Sequence, residues 1–100
     1  MEKYITFENP WSPISIDLQA EHCGLIKLTK IFLNIDGFET LEVWVTAMLK
    51  SGEHRRLVKI DNQGYGTANI VGSSFIIEIE NIDGDISAIH DITCYYKKLN

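Results

Sequence analysis

"LIKLTKIFLNI", residues 25–35, fits two incompatible secondary structures, and the choice between them sets the fold class. Read as a helix, Leu25, Leu28, Phe32 and Ile35 form an apolar stripe at the 3.6-residue period. Read as a strand, Ile26 and Leu28 share one parity while Ile31, Leu33 and Ile35 share the other. A β-bulge near Thr29–Lys30 then restores a single face. The Ile and Thr content favours the strand, and neither a capping residue nor a terminal glycine flanks a helical window. The strand makes the chain all-β; a helix within 20–35 makes it α+β.

The flanking sequence repeats the period of two. Leu41, Val43, Val45, Ala47 and Leu49 alternate with Glu42, Trp44, Thr46 and Met48, a strand apolar on one side and mixed on the other. Ile14, Ile16 and Leu18 alternate with Ser15 and Asp17. Phe75, Ile77 and Ile79 alternate with Ile76, Glu78 and Glu80, and residues 86–97 alternate likewise, so these last two read as long strands paired with each other. Residues 3–8, 55–61 and 66–71 are weaker strand candidates. Asn9-Pro10-Trp11-Ser12-Pro13, Ser51-Gly52, Asn62-Gln63-Gly64 and Gly72-Ser73 punctuate the chain with turn formers. The expected architecture is an antiparallel β-sandwich, jelly-roll-like, or a small barrel, of about eight strands in one domain over residues 1–100.

Asn-Ile-Asp-Gly occurs twice, at 34–37 and 81–84. With each glycine at position 6 of an EF-hand loop, positions 1 and 12 fall on Phe32 and Val43, or Ile79 and His90, which are not the required oxygen ligands. Asp-Gly between alternating apolar runs is instead a two-residue hairpin signal. Asp36-Gly37 and Asp83-Gly84 are therefore expected as hairpin tips. A looser cation site from Asn81, Asp83 and Asp85 is the weaker alternative, and no metal or cofactor is expected.

The 100 residues carry a formal charge of −5, from 14 acids against 9 bases, which disfavours nucleic acid as a partner. No run of about 18 apolar residues exists for a membrane helix, and the N-terminus lacks a secretory pattern. A soluble, cytoplasmic product is the default expectation, with a virion or extracellular location as the alternative. Cys23 and Cys94 form no CxxC motif and are expected as free, partly buried thiols. His22, His54 and His90 are too scattered to share a metal, and His90, on the parity of Ile86 and Ile92, is expected in the core. No GxSxG elbow or phosphate-cradling glycine loop occurs, and no catalytic constellation is found.

The remaining chemistry lies in aromatic and acidic side chains. Trp11 sits between two prolines in "NPWSP", and Trp44 and Met48 share the mixed face of their strand, which is an interface if it is exposed and a second covered face if it is not. Tyr65 and Tyr95 complete the binding candidates; Glu78, Glu80, Asp83 and Asp85 form a candidate acidic patch. Apolar side chains on both strand faces, Trp44/Met48 and Ile76/Ile89, point to association. The expected function is a non-enzymatic structural or interaction module that forms a homo-oligomer, such as a virion or cell-surface accessory component. A carbohydrate-binding module is the alternative, with Trp11 or Tyr65 stacking on a glycan and Asp61, Asn62 or Gln63 supplying hydrogen bonds. A small acidic inhibitor filling a basic groove on a protein partner is a further one.

Overall fold

The structure, a computed structural model, describes residues 2–8, 14–16, 24–35, 41–80 and 89–99. These residues form eight strands: β1 (Lys3–Glu8), β2 (Ile14–Ile16), β3 (Ile26–Ile35), β4 (Leu41–Leu49), β5 (Gly52–Ile60), β6 (Tyr65–Gly72), β7 (Ser74–Glu80) and β8 (Ile89–Lys98). Two four-stranded antiparallel sheets pack face to face, β1-β8-β3-β6 (sheet A) and β2-β7-β4-β5 (sheet B).

This is the jelly-roll order, and it follows from one doubling of the chain. Folding back at Lys50–Ser51, where β4 and β5 form a hairpin with Leu49 opposite Gly52, sets β1 beside β8, β2 beside β7 and β3 beside β6. Rolling that doubled ribbon adds the β3–β8 and β4–β7 ladders. Rolling leaves each sheet one apolar face, and burying the two against each other makes the core. Ile26, Leu28, Ile31 and Leu33 of β3 meet Val43, Val45 and Ala47 of β4, with Val58, Ile70, Phe75, Ile77, Ile92 and Cys94 around them. Each fully buried aliphatic or aromatic side chain contributes about 1.5–3 kcal/mol.

Residues 26–35 are a strand, and the bulge falls where the parity change requires it. The register with β8 steps from Leu28↔Tyr96 to Lys30↔Tyr95, leaving Thr29 as the extra residue. On β6 the step from Ile70 to Thr67 accommodates a further one, and Asn69 there adopts φ 48°. Between matched inward positions β8 holds Tyr95 alone, β3 holds Thr29 and Lys30, and β6 holds Thr67, Ala68 and Asn69. The growing count coils the sheet.

The expected pairing of the last two long strands fails: β7 and β8 lie in opposite sheets, because the doubled ribbon sends consecutive strands to alternate layers, and β4–β5 is the hairpin among the described strands. The two expected Asp-Gly tips, Asp36-Gly37 and Asp83-Gly84, lie outside the described residues. His90 is exposed rather than in the core, because the β3–β8 register passes from Asn34↔Asp91 to Ile35↔Ile89 and leaves His90 as a bulge residue. Trp11, Asp83, Asp85, Cys23 and the loose Asn81/Asp83/Asp85 site lie outside the described residues. No helix among those described is long and apolar enough to cross a membrane.

Candidate functional site

Alternation that buries one face of each sheet necessarily sets the remaining side chains on an outer face, and these two outer faces differ in chemistry. On sheet B, cross-strand register places Leu57, Trp44 and Glu78 in one row and Arg55, Thr46 and Ile76 in the next. Glu53, Met48 and Ser74 follow. Trp44, Met48, Leu57 and Ile76, spread over these three rows of one face, are all half-buried. The Arg55 guanidinium carbon lies 4.0 Å from the Trp44 ring centroid, and its Nη2 reaches Glu78 Oε1 at 3.9 Å. With both charged side chains about half exposed, the stacking and the ion pair are each worth no more than about 1 kcal/mol. Arg55 therefore covers the indole loosely.

On sheet A, the rows Tyr4–Tyr95–Lys30–Thr67 and Thr6–Thr93–Phe32–Tyr65 cross all four strands on the outer face. Tyr4 and Tyr95 rings are 6.0 Å apart, and Phe32 and Tyr65 rings 4.6 Å. Lys30 joins the two pairs: its Nζ sits 4.6 Å from the Tyr95 ring centroid and 5.7 Å from that of Tyr65. Tyr4 is 68% exposed and Tyr65 41%, the leading ring surfaces offered to solvent among the described residues. Thr6 and Thr93 hydroxyls bond to each other at 3.0 Å, and the Thr29 hydroxyl is shared between Glu2 Oε2 at 2.6 Å and the Tyr95 carbonyl oxygen at 3.0 Å. Below lie Lys27 and Lys97, opposite each other; above lie Glu8, Asp91 and Asn34, whose amide donates to Asp91 at 3.1 Å.

The turn before Tyr65 is built by Asp61. Its Oδ1 accepts from Gln63 N at 2.9 Å and Tyr65 N at 3.0 Å, while Leu33 N donates to Gly64 O at 2.8 Å. Gly64 has φ 97°, and a Cβ there would run into the Leu33 carbonyl oxygen, so glycine is required on both counts. Asp61 thus serves to aim Tyr65 across Phe32.

The binding candidates read from sequence are divided between opposite sides of the sandwich. Trp44, Met48 and Glu78 lie on sheet B, Tyr65 and Tyr95 on sheet A; Glu80 ends β7 in register with Glu42. Tyr4, Lys30 and Phe32 were not singled out. Tyr4 was legible from the alternation of Tyr4 and Thr6 with Ile5 and Phe7, whereas the bulge at Thr29 hid the parity of Lys30 and Phe32. Cys94 is a free, fully buried thiol, pushed up to about 12 by desolvation, and is inert chemically. Among the described residues no three His, Cys, Asp or Glu side chains converge to hold a metal ion.

No protein-family model, curated protein or solved structure matches the chain.

Proposed function

We propose that the protein is a non-enzymatic structural module that self-associates through the outer face of sheet B. One observation carries this reading: Trp44, Met48, Leu57 and Ile76 form an apolar centre on a face that the protein's own core does not use. A large aromatic surrounded by aliphatic side chains and rimmed by charge is the anatomy of an interface hot spot. The rim supports a symmetric pairing. Arg55 and Lys59 lie along β5 and Glu78 along β7, flanking Trp44 on opposite sides. A twofold axis along β4 brings the basic flank of one copy over the acidic flank of the other, so that the Arg55–Glu78 pair is exchanged between copies. Repeated use of a small sandwich in this way suits a virion or cell-surface accessory component.

Analytical ultracentrifugation from low to high micromolar concentration tests it. A concentration-dependent dimer or larger species is expected, weakened by Trp44→Ser and by Arg55→Glu, and recovered when Arg55→Glu is combined with Glu78→Arg. A strict monomer throughout, or a double variant no better than the single one, refutes it.

A further inference from the structure

We propose that the outer face of sheet A, on the side of the sandwich away from the association face, is a binding site for an anionic glycan, a polysaccharide bearing uronate carboxylates. The starting point is Lys30. Its ammonium is held over the rings of Tyr95 and Tyr65, is only partly exposed, and has no carboxylate partner among the described residues. In a chain of net charge −5, three lysines, Lys27, Lys30 and Lys97, share the lower part of this face with a single carboxylate among the described residues, Glu2, which the Thr29 hydroxyl engages at 2.6 Å. A cation framed by ring surfaces is complementary to a ligand that combines an acid group with an apolar face.

A uronate sugar is such a ligand. Its C–H face covers the ring of Tyr4 or Tyr65, its carboxylate meets Lys30, and its hydroxyls find the hydroxyl of Thr67 and the exposed hydroxyl of Thr6. A neutral sugar leaves the lysines without a role. A nucleic acid needs many clustered bases to release its counterions, which a chain of this charge does not supply.

The charge pattern also sets the direction of the bound polymer. Running along the strands would carry its acids from Lys27 and Lys97 onto Glu8 and Asp91. Running across them, along Tyr4–Tyr95–Lys30–Thr67, centres a carboxylate on Lys30 and avoids Glu8 and Asp91, while the Glu2 carboxylate beside this row is engaged by the Thr29 hydroxyl at 2.6 Å. The polymer therefore lies perpendicular to the strands, spanning β1 to β6.

Affinity electrophoresis of the full chain tests this, in gels cast with polygalacturonate or with neutral dextran. Retardation is expected in polygalacturonate only, with a loss of about tenfold in apparent affinity for Lys30→Gln, Tyr4→Ser and Tyr65→Ser. Lys50→Gln, in the exposed β4–β5 turn, is expected to bind as the unmodified protein does. Unchanged thermal unfolding of each variant shows that the sandwich is intact. No retardation in polygalacturonate, equal retardation of Lys30→Gln, or competition by polyglutamate or single-stranded DNA as effective as by free oligogalacturonate would each overturn the proposal. Because the variants lie on the face opposite Trp44, losing glycan binding leaves the ultracentrifugation result untouched, and the reverse.

Discussion

Arg56 on β5, an edge strand of sheet B, donates from one Nη1 to the carbonyl oxygens of Ala68 at 3.0 Å and Asn69 at 2.9 Å on β6, an edge strand of sheet A. In register Arg56 stands opposite inward-facing Val45, so its side chain reaches across the rim from one layer to the other while staying exposed to solvent. The two carbonyls it holds belong to the bulged segment of β6. One guanidinium thus ties both sheets together at the place where β6 departs from regular geometry. Arg56→Ala is expected to lower stability by about 1 kcal/mol, discounted for exposure, with Arg56→Lys recovering part of it, since one ammonium can also donate to both carbonyls but sits on a shorter side chain. Urea unfolding of the three proteins checks it, and equal midpoints for arginine and alanine would show that the tie contributes nothing.

Asn69 sits at φ 48°, a left-handed conformation that asparagine tolerates and β-branched residues avoid. Asn69→Val is expected to cost about 1–3 kcal/mol, and Asn69→Gly to be near neutral. Thermal unfolding that ranks valine level with glycine would mean that the bulge relaxes without strain.

Gly66 lies inward on β6, and a Cβ there would fall 2.6 Å from Ile60 Cδ1 and 2.7 Å from Val58 Cγ1. The rim between β5 and β6 closes only because that side chain is missing. Gly66→Ala is expected to destabilise by about 1–3 kcal/mol through overpacking. Urea unfolding reads the loss, and an unchanged midpoint would indicate that Val58 and Ile60 have room to move.

Burial raises the Cys94 thiol from 9.0 to about 12. An unfolded chain ionises this thiol above pH 9 while the folded one keeps its proton, so the folded state binds more protons in that window. Stability attributable to Cys94 is therefore intact below pH 9 and falls as pH rises from 9 toward 12, by at most about 1.4 kcal/mol per unit. Urea midpoints of the parent protein and Cys94→Ala across that range isolate the contribution: the gap between them is expected to narrow with rising pH. A gap independent of pH would show that the thiol titrates in the folded state as it does in the unfolded one.

Much of the fold was legible because alternation is a local property. The strand at 41–49 has the boundaries its apolar parity gives, the strand at 3–8 likewise, and the parity break in 25–35 located the bulge that the register later places at Thr29. That Trp44 and Met48 share the mixed face of β4 was legible for the same reason. His90 was misplaced because a bulge residue breaks the very alternation used to assign it.

Sequence by itself favoured an all-β chain over an α+β one and determined where most of its strands run and which side chains of a regular strand share a face, since these depend on neighbours two residues away. Tertiary structure alone decided which strands adjoin. Strands β7 and β8, consecutive and both alternating, read locally as a pair, yet the doubled, rolled ribbon puts them in opposite sheets, and no short-range preference encodes that choice. The same long-range pairing divided the aromatic residues. Tyr4 and Tyr95, ninety-one positions apart, became neighbours around Lys30, while Trp44 went to the opposite side. A cross-strand row is assembled from remote segments, so its chemistry appears only once the ladders are in register.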